Sequence, residues 1–253
     1  PEDYVPLRRA EEERRLTLVE LGVSVDPDAL WFCLKPEAKR NDPRFAFVQR
    51  PEFRQAISHA VDREEFAQTV FLGEAVPIWG PVTPGNRAWF TPNLPRYPHD
   101  DARARELLRT IGLADRDGNG VAEDAAGTEA RFTVITQRGL AYLERGIMVI
   151  RDELAGVGIA LDIVPLETTA VIDRMLACDY DAIYMRVSAT DLDPAANLDM
   201  WLSGGSSHFW NMSQAAPSTE WEREIDELMT RQAITLDPNR RREIFNEVQR
   251  VFA

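Results

Sequence analysis

Hydrophobic and polar positions in the first third of the chain predict two strands and then two helices. Residues 16–22 alternate apolar and polar side chains, as a half-buried strand does, and residues 29–34 are predicted as a second strand. From Pro51 apolar residues recur at helical spacing through Val61. Asp62 then suits the N-cap of another helix, with Glu65 as its capping-box partner and Gly73 at its end.

The middle of the chain predicts a loop followed by alternating strands and helices. Residues 74–98 are rich in proline and aromatic residues, which predicts an irregular loop pinned onto the body. A helix over residues 100–111 should turn Ala102, Leu107, Leu108 and Ile111 inward and stop at Gly112. Strands are predicted at residues 131–136, 159–164 and 180–187, with helices at 140–157 and 168–177, the latter capped by Thr168.

This order of elements is a βαβαβ unit, which builds a mostly parallel sheet covered by helices. The sequence therefore predicts an α/β lobe. A polar loop at residues 202–208 follows the unit, and two helices are predicted at about residues 218–234 and 237–252, with Asp237 and Pro238 as N-cap and first-turn residue.

Composition indicates a globular protein of ordinary character. Of the 253 residues, 44% are hydrophobic and 28% are charged. The sequence contains no run of about 18 apolar residues, so it predicts no membrane span. The net charge of −13 disfavours nucleic acid and anionic membranes as partners, because both repel an acidic protein. Cys33 and Cys178 form one disulfide in an oxidising compartment or stay as buried free thiols, and the sequence leaves both alternatives open.

An Asp-Gly-rich segment at residues 115–124 has the spacing of the start of a calcium-binding loop. The ligands of that alternative are Asp115, Asp117 and Asn119. The twelfth position, which needs a bidentate acid, is Ala126, so a tight turn without a metal is the preferred interpretation. We expect no cofactor.

Catalytic motifs are missing from the sequence. The sequence has three histidines but no Gly-x-Ser-x-Gly turn, and neither cysteine lies in a nucleophile or metal-ligand context. The sequence therefore predicts a protein that is not an enzyme, and a carboxylate-dependent α/β hydrolase remains an alternative that would require two converging acids.

Several segments carry a family resemblance, and they follow one another in the family's order. They are residues 53–63 and 71–84, residues 97–108, residues 150–159, residues 179–182, Asp193 with Pro194, and residues 221–226 and 237–243. Together they resemble the extracytoplasmic solute-binding proteins of ABC importers, family 5, which include oligopeptide, dipeptide and nickel binders. The resemblance implies a periplasmic-binding-protein lobe of the type II-like class, with residues 1–34 leading in from a first lobe and residues 35–253 forming a C-terminal lobe that lacks the final return strand.

The resemblance also implies a function. Such a lobe binds a peptide or peptide-like solute in a cleft between two lobes and delivers it to an ABC permease, outside the cytoplasm in the periplasm or its equivalent. We expect the piece in hand to be monomeric. A ligand-sensing lobe of a regulatory protein is an alternative, because binding lobes are reused in that way.

Candidate solute ligands follow from the same resemblance. The family's aspartate that pairs with a peptide's amino group stands four residues before the proline, where this chain has Thr190. The resemblance therefore carries that role to Asp191, three residues before Pro194, with Asp193 beside it, although Asp193 and Pro194 also suit a turn and helix cap. Arg186 could bind a carboxylate or form a structural ion pair. The loop that faces the cleft in such proteins supplies further candidates, with core packing as the alternative for Trp201 and Phe209; these candidates are Trp201, His208, Phe209, Trp210 and Asn211.

Overall fold

Four strands form the central sheet in the computed structural model, which describes residues 4–36, 41–188 and 192–253. The strands are β1 (Asp28–Phe32), β2 (Arg131–Gln137), β3 (Ala160–Leu166) and β4 (Ala182–Arg186), and their order across the sheet is β1-β4-β2-β3. β2 pairs in parallel with β3 and β4, whereas β1 runs antiparallel to β4. The predicted mostly parallel α/β sheet is confirmed, with one antiparallel strand at its edge.

Helices cover both faces of this sheet. Those described are α1 (Tyr4–Glu12), α2 (Phe45–Val48), α3 (Pro51–Ala60), α4 (Arg63–Phe71), α5 (Asp101–Thr110), α6 (Ala141–Gly156), α7 (Thr168–Ala177), α8 (Leu198–Trp201), α9 (Glu220–Ile234) and α10 (Pro238–Phe252), with a 3-10 helix at Pro194–Asn197. Among the described residues, no helix has both the length and the apolar content needed to cross a membrane.

Strand alternation sorts the core into two clusters, one on each face of the sheet. In β4, Tyr184 packs in a cluster with α3, α5 and α6 that contains Phe53 and Phe132. Its neighbour Ile183 points to the opposite face and packs with α7 to α10. The sheet is therefore the middle layer of three.

The predicted strand at residues 16–22 is wrong. These residues form no helix or strand, and Val19 and Leu21 are 74% and 92% exposed. An alternating segment forms a strand only where an adjacent strand exchanges backbone hydrogen bonds with it. In the described sheet β1 pairs with β4, and residues 16–22 pair with none of the four strands. Just beyond this segment the chain contacts the proline-rich loop, where the Thr83 hydroxyl donates to the Ser24 carbonyl at 2.5 Å.

Three details of the helices differ from the sequence prediction. Asp62 does cap α4 by accepting from the backbone N–H of Glu65. The N–H of Asp62 donates to Glu153 on α6 at 3.2 Å, so the acid that completes the cap comes from another helix and is not Glu65. In α5 it is Ala104, not Ala102, that is buried. Thr168 begins α7 and does not cap it, because the N-cap position belongs to Glu167.

A disulfide joins Cys33 to Cys178, which decides between the two alternatives that the sequence left open. Cys33 follows β1 and Cys178 ends α7; their Cα atoms lie 5.8 Å apart although 145 residues separate them. Both residues are buried in the cluster that contains Trp31. The bond therefore ties the antiparallel edge strand to a helix of the same face.

Candidate functional site

The carboxyl ends of β2, β3 and β4 meet along one side of the sheet, at Gln137, Leu166 and Arg186. We call this side the carboxyl edge. Asp28 lies there too, because the antiparallel register sets it opposite Arg186. Ligands of open α/β sheets bind outside the carboxyl ends of the strands, so this edge is the candidate site.

Arg186 is held in a fixed orientation at the carboxyl edge. Its Nε and Nη2 donate to the two carboxylate oxygens of Asp28 at 2.9 and 3.0 Å. Its guanidinium carbon lies 4.8 Å from the ring centre of Tyr142, which adds a cation–π contact. The hydrogen bonds to Asp28 raise the pKa of Arg186 above its ordinary value, so the side chain stays charged.

Other donors lie along the same edge. Arg138 donates to the carbonyl oxygen of Pro165 at 3.1 Å. The helices α6 and α7 begin here, and their N-cap residues, Leu140 and Glu167, form no side-chain hydrogen bond to the first turn. First-turn N–H groups carry a partial positive charge, so the edge attracts acceptors and anions.

Residues of the predicted ligand loop lie in the core of the opposite end of β4. Trp210 accepts a backbone hydrogen bond from Leu34, which follows β1, and the Tyr180 hydroxyl, ahead of β4, donates to the Phe209 carbonyl. The length of β4 separates this end from Arg186 by roughly 13 Å. The structure therefore does not bring Arg186 and this loop into one site.

Burial of the loop is nearly complete. Trp201, His208, Trp210 and Asn211 are 4%, 0%, 4% and 3% exposed. Trp210 stacks on Trp31 with ring centres 6.0 Å apart, and Phe209, partly buried, meets Trp31 edge-on. Contact of these residues with a solute stays a prediction, and it requires this loop to open.

Glu222 on α9 organises the loop and was missed in the sequence, where it is one acid among many. Its carboxylate is 2% exposed and accepts from Trp210 Nε1 at 3.1 Å, Gln214 Nε2 at 2.8 Å and the Thr219 hydroxyl at 2.8 Å. His208 lies between two acceptors, with Nε2 at 3.4 Å from Glu222 and Nδ1 at 3.1 Å from the Met200 carbonyl. These contacts are structural.

Asp193 takes a structural position in the described part of the chain. It caps the 3-10 helix by accepting from the Ala195 N–H at 2.9 Å, and Arg241 of α10 donates to its two oxygens at 2.6 and 2.9 Å. Burial opposes ionisation of Asp193, but the hydrogen bonds from Arg241 and Ala195 outweigh it and lower the pKa. Asp191 lies outside the described residues, and solute binding by either aspartate stays a prediction.

The Asp-Gly-rich turn brings three acids together. Carboxylate oxygens of Asp115, Asp117 and Glu123 all lie within 4.8 Å of one another. Asn119 donates its amide N–H to Asp117 at 3.2 Å, and its Oδ1 accepts from the Val121 N–H at 2.7 Å. Metal binding by Asn119 stays a prediction. This turn precedes β2 and therefore lies at the amino end of the sheet, away from the carboxyl edge.

Comparison with known proteins gives consistent matches. The family model of "Bacterial extracellular solute-binding proteins, family 5 Middle" matches residues 22–209. The oligopeptide-binding protein AppA of Bacillus subtilis is 28% identical over 137 residues, which are 52% of this chain and 25% of AppA. The periplasmic alpha-galactoside-binding protein of Rhizobium meliloti is 35% identical over 77 residues, 30% of this chain and 11% of that protein.

A solved structure extends the match to the whole chain. The periplasmic binding protein MelB of Agrobacterium fabrum C58, in complex with stachyose, superposes with a TM-score of 0.84 at 20% identity, covering 100% of this chain and 40% of MelB. This likeness confirms the predicted fold, a lobe of the periplasmic-binding-protein type. The chain spans less than half the length of these relatives.

Proposed function

The chain belongs to the bacterial extracellular solute-binding proteins of family 5, and from this membership we propose that it supplies one wall of the solute site in the binding component of an ABC importer. The family expected from residues 53–84 is thereby confirmed. The proposed solute is a peptide or peptide-like compound, the proposed partner is an ABC permease, and the proposed location is outside the cytoplasm. The disulfide between Cys33 and Cys178 supports that location, because disulfides persist in oxidising compartments.

One observation carries the proposal for this chain, namely the position of Arg186. The side chain is 37% exposed at the carboxyl edge, and Asp28 and Tyr142 orient it before any solute arrives. Its third nitrogen, Nη1, has no hydrogen bond to a described residue, so it can donate to a carboxylate or carbonyl of a solute. Preorientation lowers the entropy that binding costs.

Binding by closure of two lobes is the proposed mechanism. Solute contacts from both lobes favour the closed state, and the permease recognises that state. Closure removes water from the carboxyl edge, which strengthens a hydrogen bond between Arg186 and an anionic solute. This role requires no bond to be made or broken.

An oligosaccharide is the second candidate solute, and the names of the alpha-galactoside-binding protein and the stachyose complex favour it. Sugar sites commonly include an aromatic face that is free to contact the ring. In the described part of the carboxyl edge, Tyr142 is 9% exposed and its ring already carries the Arg186 guanidinium. That arrangement favours the peptide.

Titration calorimetry with the full gene product tests the proposal. Its ligands are short peptides, the same peptides with an amidated C-terminus, and stachyose. We expect Arg186→Lys to weaken binding of the free-acid peptides by about tenfold, because lysine loses the fork that pairs with Asp28 and the solute together. Amidated peptides should lose much less, because they lack the carboxylate.

Arg174→Lys is the matched control, since the Arg174 side chain is exposed at the far end of α7 and forms a long ion pair of 4.0 Å with Asp179. It should leave the affinity unchanged. If stachyose binds and the peptides do not, the proposed solute is a sugar and not a peptide. Absence of binding to every ligand would overturn the proposed function. An Arg186→Lys protein with unaltered peptide affinity would remove Arg186 from the site.

A further inference from the structure

The acidic turn at residues 115–123 has features that the proposed solute site does not explain. It follows α5 and precedes β2, and two backbone N–H groups, of Gly118 and Gly120, donate to Asp115 at 2.8 and 3.0 Å. The Asp115 carboxylate is thus fixed toward the inside of the turn. Three like charges, on Asp115, Asp117 and Glu123, lie within 4.8 Å and repel one another.

Glu123 supplies an independent observation. It is 8% exposed, and its Oε2 is buried with no hydrogen-bond partner. Its Oε1 accepts from the Arg116 N–H at 2.8 Å and lies 3.9 Å from the Arg116 guanidinium. A buried carboxylate oxygen without a donor is costly unless a cation neutralises it.

We propose that Asp115, Asp117 and Glu123 bind one calcium ion. Oxygen ligands lie 2.3–2.6 Å from calcium, so two ligands on opposite sides of an ion are up to roughly 5 Å apart, and the 4.8 Å spread of the three carboxylates fits one ion. The Glu123 oxygen available to the ion is Oε2, because Oε1 already accepts from the Arg116 N–H. An all-oxygen set without histidine or cysteine favours calcium over zinc.

Glu123 replaces the acid that the sequence pattern lacks. In the loop counted from Asp115 the twelfth residue is Ala126, and the ninth is Glu123. Glu123 forms isolated antiparallel β-bridges with Ala114 and with Glu129. These bridges place the ninth residue beside the acids of positions one and three. With three protein carboxylates and a nearby arginine, we expect a weak site, with a dissociation constant on the order of 10⁻⁴–10⁻³ M.

The role of the ion is structural. Next to Glu123, the N–H of Ala122 donates to the Gly158 carbonyl at 2.8 Å, and its carbonyl accepts from Ala130 at 2.6 Å. These bonds fix the turn to the starts of β2 and β3. Calcium therefore stabilises the amino end of the sheet, and solute at the carboxyl edge is not needed for it.

Calorimetry and thermal unfolding of the metal-free protein test this without any solute. Calcium chloride at about 10 mM should raise the melting temperature by several degrees and give a binding isotherm, whereas magnesium chloride at the same concentration should do neither. Glu123→Gln and Asp117→Asn should each weaken calcium binding by about tenfold or more. Circular dichroism checks that both variants are folded.

Asp124→Asn is the control within the same turn. Asp124 is outside the triad, and its Oδ1 accepts from the N–H groups of Ala126 and Thr128 at 2.8 Å, which asparagine can also do. This variant removes the same charge and should bind calcium as the unmodified protein does. Equal effects of calcium and magnesium, or unchanged calcium affinity in Glu123→Gln, would overturn the proposal.

Discussion

Glu153 and Glu222 lie on opposite faces of the sheet, and their surroundings shift the pKa values of their carboxyl groups in opposite directions. Burial raises the pKa of Glu153 to about 7, and the negative charge of Asp62 adds to the effect. Burial also opposes ionisation of Glu222, but hydrogen bonds from His208, Gln214, Thr219 and Trp210 outweigh it and lower the pKa to about 2. The number of hydrogen-bond donors around each carboxylate decides whether its pKa is raised or lowered.

Glu153→Gln should stabilise the protein at alkaline pH. The pKa of Glu153 rises from 4.5 to about 7 on folding, so its contribution to stability is full below pH 4.5 and is lost as pH rises through 7. Glutamine stays neutral, and we expect a gain on the order of 1 kcal/mol at about pH 8, allowing for solvent at this half-buried group. Urea unfolding at about pH 8 and pH 4 measures it.

The control for Glu153→Gln is Asp152→Asn, because Asp152 is the exposed neighbour on α6 and pairs with Arg151. It should change stability little at either pH. A gain from Glu153→Gln that is the same at both pH values would show that packing, and not ionisation, is responsible.

Glu222→Gln should destabilise the protein. One carboxylate oxygen that accepts hydrogen bonds becomes an NH₂ group that faces donors. In one amide orientation Trp210 and Gln214 lose their shared acceptor Oε1, and in the other the Thr219 hydroxyl and the Ser218 N–H lose Oε2. We expect a loss of about 3 kcal/mol at neutral pH. Because Glu222 contributes stability above pH 4.5 and loses it as pH falls through about 2, the difference from the unmodified protein should narrow in acid.

Denaturant titration between neutral pH and about pH 3 measures the Glu222→Gln effect. Glu224→Gln on the exposed side of α9 is the matched control and should have little effect. A loss from Glu222→Gln that does not depend on pH would contradict the role given to the ionised carboxylate.

At the scale of elements, local signals predicted what local contacts determine. The helices α3, α4 and α10 follow from apolar spacing and from caps at Asp62 and Asp237, whose side chains accept from backbone N–H groups two or three residues ahead. Strand formation depends on a partner elsewhere in the chain, so the alternation at residues 16–22 predicted a strand that the structure does not contain. Alternation of apolar and polar residues does not show whether an adjacent strand is present.

The candidate site shows the same division. Arg186 is predictable because it stands at the end of a strand in a βαβαβ unit. Asp28 is not, because the antiparallel register brings it from 158 residues away. Phe209 suited either a solute site or a core. Glu222 on α9, which holds the neighbouring Trp210 in the core, is separated from it by a loop whose path the sequence does not determine.

At the scale of the whole molecule, the disulfide joins distant parts of one core. Cys33 and Cys178 belong to the cluster that packs Trp31 and Tyr180 against α9 and α10. Because 145 residues separate the two cysteines, the bond removes many conformations from the unfolded chain. The stabilisation expected from loop closure is about 2–5 kcal/mol.

Replacing both cysteines, Cys33→Ala with Cys178→Ala, should therefore lower the free energy of unfolding by about 2–5 kcal/mol. A reducing agent should lower the melting temperature of the unmodified protein and leave that of the double variant unchanged, because the variant has no bond to break. That second comparison separates the bond from the packing lost with the two sulfur atoms, which is lost in the variant under both conditions. If titration of the unfolded, unreduced protein finds two free thiols, the cysteines are not bonded, and the support that the disulfide gives to an oxidising location is removed with it.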